Sequence, residues 1–142
     1  MTKIQQLALV FLRVTLGFMF FYAGITKVLN PEWSAAGYLK GAKAFTGLFG
    51  WFASPGVLPV INFVNEWGLT LLGVSLILGI AVRLSSNLGA LLMLLYYLPL
   101  GFPYPNAHAL IVDEHIIYAA ALLYLAATRA GGLTALPMAG SL

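Results

Sequence analysis

The chain has no cysteine. That absence removes disulfides, thiol redox chemistry, cysteine-ligated zinc and iron–sulfur clusters held by this chain. Charge is nearly as scarce. Seven Lys and Arg and four Asp and Glu make up 8% of 142 residues, where a soluble domain carries roughly 25%. With 61% of the chain hydrophobic, so few charged side chains cannot cover a water-facing surface. The solvent for such a surface is lipid. Clustered basic charge is missing too: Lys3, Arg13, Lys27, Lys40, Lys43, Arg83 and Arg129 stand singly, so nothing points to nucleic acid. The net charge of +3 suits anionic headgroups. Histidine occurs only at His108 and His115. One heptad apart on a helix, they lie about 10 Å apart along the axis, too far to serve as the two axial ligands of one haem. Glu114 and His115, adjacent on a helix, point apart. No haem, iron–sulfur cluster or zinc is therefore expected.

What the chain does have is long apolar runs. They predict an all-α fold, a four-helix transmembrane bundle forming a single membrane domain over 1–142. The first crossing is expected over about 4–28, roughly 36 Å of helix against a ~30 Å hydrocarbon core; Asn30-Pro31 ends it. It reads as a retained signal anchor, because no small-residue cleavage site follows a short apolar core. Further crossings are expected over about 58–82, 84–101 and 108–128, with a tail over 130–142. The turn at Arg83 is so short that the second and third crossings must be antiparallel neighbours. Gly101-Phe-Pro-Tyr-Pro-Asn106 reads as a loop. Between the first two crossings, residues of about 34–53 carry Tyr38, Leu39, Phe45, Leu48, Phe49 and Phe52 beside Lys40 and Lys43. They predict one amphipathic helix in the membrane interface. Basic residues tie between the two sides, three against three. The lysines of the amphipathic insert break the tie, placing both termini in the cytoplasm.

Ionisable groups inside a bilayer cost several kcal/mol unless paired or wetted, so function is sought there. Arg13, Gly17, Gly24 and Lys27 share one face of the first helix. The glycines suit a packing seam, and Lys27 also suits a snorkelling role. Glu66 lies roughly 12 Å inside the second crossing, with Asn62 one turn before it. Asp113, Glu114 and His115 open the fourth, with Tyr118 one turn on; Asp113 reads as a helix cap, Glu114 and His115 as proton-exchanging groups. Tyr96 and Tyr97 lie level with them. Alternating helix directions put Lys27, Glu66, Glu114, His115, Tyr96 and Tyr97 in one half of the bilayer. The expectation is one polar pocket opening to the non-cytoplasmic side, with Lys27 offsetting Glu66 or Glu114 and Arg13 at the floor. Glu66, Glu114 and His115 are the candidate catalytic residues. Arg13, Lys27, Trp67, Tyr96, Tyr97 and Tyr118 are the candidate substrate-binding residues. No metal site is expected.

Five motifs in order carry a resemblance. The Arg13…Gly17…Gly24…Lys27 face, Trp33-Ser-Ala-Ala-Gly-Tyr38, Asn65-Glu-Trp-Gly-Leu69, Gly79…Arg83 and Asp113-Glu-His-Ile-Ile-Tyr118 together resemble the DoxX family over about residues 5–130. That family includes the DoxD-type membrane subunit of thiosulfate:quinone oxidoreductase. The resemblance implies a four-helix inner-membrane protein and a link to quinone reduction, with quinone as the ligand. The expected function is a quinone-linked oxidoreductase subunit. Its electrons come from substrate or from a soluble or membrane partner subunit, and its neighbours are lipid and a second copy of the chain. The alternative is a non-enzymatic scaffold for a partner enzyme, or a small proton-coupled permease.

Overall fold

In a computed structural model, residues 1–128 are described; Arg129 and the expected tail lie outside them. The described residues are helical, with no strand beyond one isolated bridge between Asn106 and Leu110. Helix α1 spans Lys3–Val28, opened by a capping box in which the Thr2 hydroxyl accepts from Gln5 N and the Gln5 side chain accepts from Thr2 N. Two short helices follow, α2 (Ala36–Lys40) and α3 (Thr46–Phe52). Then come α4 (Leu58–Leu78), α5 (Val82–Tyr97), a single 3-10 turn at Leu98–Leu100, and α6 (Glu114–Ala127). Two of these, α1 and α4, are long and apolar enough to cross a membrane.

The helices pair as α1 with α4 and α5 with α6, and the two pairs share one core. Glycine sets the first pairing. A Cβ on Gly24 would collide with the backbone of Thr70, and one on Gly73 with the backbone of Phe21, while Gly17 leaves only 2.9 Å to Ile77 N. Both backbones therefore touch along one seam, which the spacing on α1 anticipates. Between α4 and α5 the contact is looser than their short turn implies, and an apolar groove of about 620 Å³ runs between them. The turn itself is sharp because Gly79 and Ala81 are both left-handed (φ 77° and 51°). Glycine accepts that conformation without cost at a helix end.

Two expected elements need correction. The single amphipathic helix over 34–53 is broken in two: α2 stops at Gly41, and Phe45 stands left-handed (φ 51°) before α3. The pieces fold back over the bundle end. Ala35, Leu39, Phe49 and Ala53 form a second small core against Leu58, Ile61 and Leu98. The fourth helix, expected from His108, begins at Glu114. Asn106 is the reason, since its Oδ1 accepts from the backbone N–H groups of His108 and Ala109 and its Nδ2 donates to Val112 O. That local bonding holds the chain in a loop until Asp113 caps Ile116 N at 3.2 Å. His108 is exposed in that loop. Tyr97, only 1% exposed, pins it, donating to Ile111 O at 2.6 Å and accepting from Tyr104 N at 3.0 Å.

Candidate functional site

Where the insert meets the ends of α1, α4 and α5, it encloses a chamber of about 320 Å³. Its distinctive walls are Lys27 from α1, Trp33 and Tyr38 from the insert, Asn65 from α4 and Tyr96 from α5. Each is held for a local reason. Lys27 Nζ donates to Ala23 O at 2.9 Å and lies 5.4 Å from the centre of the Trp33 ring, a cation–π distance. An ammonium has three donors, so Ala23 leaves donor capacity at the wall. Asn65 is buried and donates to Ile61 O at 2.8 Å, while its Oδ1 accepts from the Tyr96 hydroxyl. The Tyr38 hydroxyl in turn donates to the backbone O of Tyr96, and the two rings meet edge to face at 6.1 Å.

Behind Tyr96 stands an ionisable pair. The His115 ring lies 5.9 Å from the Tyr96 ring, and its Nδ1 is 2.7 Å from Asp113 Oδ2. With the Asp113 oxygen as acceptor, Nδ1 is the ring nitrogen that donates in this hydrogen bond. Asp113 performs two tasks with two oxygens: Oδ1 caps α6 and Oδ2 orients His115. The pair is mostly buried, with 22% and 11% of the side chains exposed. Burial, together with the charge of Asp113, pushes the Tyr38 phenol up to about 12. Tyr38 therefore stays a neutral donor through the physiological range.

The structure brings together some expected residues and separates others. Lys27 and Tyr96 line the chamber, and His115 stands one ring behind it. The expected convergence of Glu66 with Glu114 and His115 does not occur. His115 pairs with Asp113, whereas Glu114 is exposed and only reaches the Tyr118 hydroxyl at 3.5 Å. Thr70 abuts Gly24, so Glu66, one turn earlier on α4, comes level with Lys27 across the α1–α4 seam. No ion pair joins them among the described residues, because Lys27 is turned toward Ala23 and Trp33. Nor does Asn62 serve Glu66. It accepts from Ala35 N at 2.9 Å and donates to Ser34 Oγ at 3.3 Å, tying the insert to α4.

Arg13 is fully buried but sits far from the chamber. Its guanidinium packs at Gly79, where a Cβ would stand 2.9 Å from Nη1. From Asn65 to Gly79 is about 20 Å along α4, so Arg13 belongs to the α4–α5 turn. There its positive charge meets the negative end of the α4 dipole. Trp67 is 39% exposed and is not part of the chamber lining. Tyr97 anchors the 101–112 loop, and Tyr118 packs at the edge of the main core. Among the described residues no three His, Asp or Glu side chains gather as a metal site would require. Reading by type missed Trp33, Tyr38 and Asn65 as wall residues and Asp113 as the partner of His115. All four lie within the motifs that carry the family resemblance.

The DoxX family model matches residues 8–101, two thirds of the chain. No curated protein and no solved structure matches. The matched stretch takes in α1 from residue 8 on, the insert, α4, α5 and every chamber wall. The chain belongs to the DoxX family and is a membrane protein of that family.

Proposed function

We propose that this DoxX protein crosses the inner membrane four times with both termini in the cytoplasm, and that its chamber binds the head of a quinone for a membrane oxidoreductase. One observation carries the reading: a chamber of about 320 Å³ walled by Trp33, Tyr38 and Tyr96, with the Lys27 ammonium on one side and the Asp113–His115 pair behind Tyr96. Its volume is at the lower end of the range for small-ligand sites, and its composition of apolar walls with a few placed polar groups is typical of them. Aromatic rings suit a flat head. Lys27 supplies a charged donor for a carbonyl oxygen. A bound quinone supplies a two-electron acceptor that takes up two protons on reduction. The chain's own contribution is to orient the head, to exclude water with the insert, and to keep a proton on His115 at hydrogen-bond distance from Asp113. Its electrons come from the substrate or from a partner subunit.

The test is binding of a tail-less benzoquinone to the protein in nanodiscs, read by quenching of Trp33 fluorescence against a Trp33→Phe control. Saturable quenching is expected, weakened by about tenfold in Lys27→Met, the order of one charge-assisted hydrogen bond. Binding that is equal in the wild type, Lys27→Met and Tyr96→Ala defeats the proposal. The scaffold reading has one observation in its favour. The Tyr38–Tyr96–Asn65 bonds close on one another, as a purely structural lid requires. A stoichiometric partner co-purifying with protein that binds no quinone selects that reading.

A further inference from the structure

Gly68 has no packing reason to be glycine. Gly17, Gly24 and Gly73 sit where a side chain would strike a neighbouring backbone, but a Cβ on Gly68 meets only Val64 Cγ1, at an ordinary 3.8 Å. Glycine in a helix interior costs about 1 kcal/mol relative to alanine, and no close approach of another helix accounts for it here. The position lines the apolar groove between α4 and α5. It stands one turn beyond Val64, which lines the groove and the polar chamber alike, as do Leu92 and Leu95 of α5. The two cavities are thus contiguous, sharing one wall and differing in chemistry. The chamber presents an ammonium, an amide and phenol rings. The groove presents leucines. The hydroxyls at its far end, Ser75 and Ser85, are bonded to each other, and that of Ser75 also to Ile80 O.

From these features we infer that the site takes an amphiphile with a flat, hydrogen-bonding head and a single apolar tail, and that the tail lies in the α4–α5 groove past Gly68. The inference rests on the chamber reading above and adds where the rest of the ligand goes. Val64 to Leu78 provides about 21 Å of groove, enough for an extended chain well beyond the head. Gly68 keeps the passage open, because any large side chain there projects into it.

Two probes test this in nanodiscs: the tail-less benzoquinone, and a decyl benzoquinone with a photoreactive diazirine at the end of its tail. The expected result is crosslinking near Leu71, Leu72 and Leu88, about eight residues along the groove from the chamber, competed by unlabelled decyl benzoquinone. In Gly68→Phe the crosslink should fall about tenfold while the tail-less probe binds within about twofold of wild type. Gly68→Ala should match wild type in both. Leu88→Trp, filling the groove from α5, repeats the test if Gly68→Phe does not yield folded protein. Two outcomes overturn the inference. Crosslinks confined to the outer faces of α1 and α6, or unchanged by groove filling while the tail-less probe still binds, mean that ordinary acyl chains occupy the groove; the chamber reading then survives. Absence of binding by either probe in the wild type overturns both.

Discussion

The two sides of α4 use the same residue to opposite ends. Toward α1, Gly73 and its partners Gly17 and Gly24 remove every atom between two backbones, and the helices touch along the seam. Toward α5, Gly68 removes a side chain and nothing moves in to fill the space. Close approach buries main chain and fixes register, so the first seam acts as a rigid strut. The second side leaves an open groove that shares Val64, Leu92 and Leu95 with the chamber wall. Composition alone cannot distinguish a glycine that closes a gap from one that leaves it open; the neighbouring backbone decides.

The comparison can be broken most forcefully at the closed seam. Gly24→Ala or Gly73→Ala drives a methyl into a backbone that cannot yield, and overpacking of that kind costs about 3 kcal/mol. Gly68→Ala should remain within about 1 kcal/mol of wild type or gain stability. Thermal unfolding in matched detergent measures both, and equal losses at the two sites would erase the contrast. A smaller effect sharpens it at the chamber end. Asn62→Ala removes both side-chain bonds from α4 to the insert, about 1–2 kcal/mol of local stability. Hydrogen exchange should quicken over 33–53 and stay unchanged along the α1–α4 seam.

The smallest effect is a titration. Tyr38 ionises at about 12 in the fold against an ordinary 10.0. A raised pKa means that the folded state holds the proton more tightly. The stability tied to it is complete below the ordinary value and is lost as pH climbs from there through the folded value. Among the late-titrating tyrosines in phenolate absorbance, one should disappear in Tyr38→Phe and titrate earlier in Asp113→Asn. A Tyr38 that ionises with the other exposed tyrosines would contradict the desolvation of its phenol and its closeness to Asp113.

Much of the frame was legible. The heptad of Gly17 and Gly24 marks the close seam, and Tyr96, His115 and Lys27 are the kinds of residue expected to gather at one end. What escaped depended on contacts distant in sequence or on local bonding. Tyr38 reaches Tyr96 across 58 positions. Asp113 meets His115 only because it stands in extended conformation outside the helix; on one continuous helix the two would diverge. The fourth helix is shorter than its apolar run because Asn106 bonds its own loop, a competition that hydropathy does not register. Glu66 and Lys27 do fall at one level, but an alternative partner, the Trp33 ring, takes the ammonium.

Helices α5 and α6 have 16 and 14 residues against 26 in α1. In the four-crossing arrangement, α5 with its 3-10 turn at Leu98–Leu100 reaches about 30 Å, but α6 spans only about 21 Å, less than a ~30 Å hydrocarbon core. The molecule is therefore tall at α1 and low at α6. The 101–112 loop exposes Phe102, Leu110 and Ile111 and adds greasy height on the low flank, but lipid there must still thin to meet it, at fractions of a kcal/mol per ångström of mismatch. The protein should partition into, and unfold last in, bilayers made of shorter acyl chains.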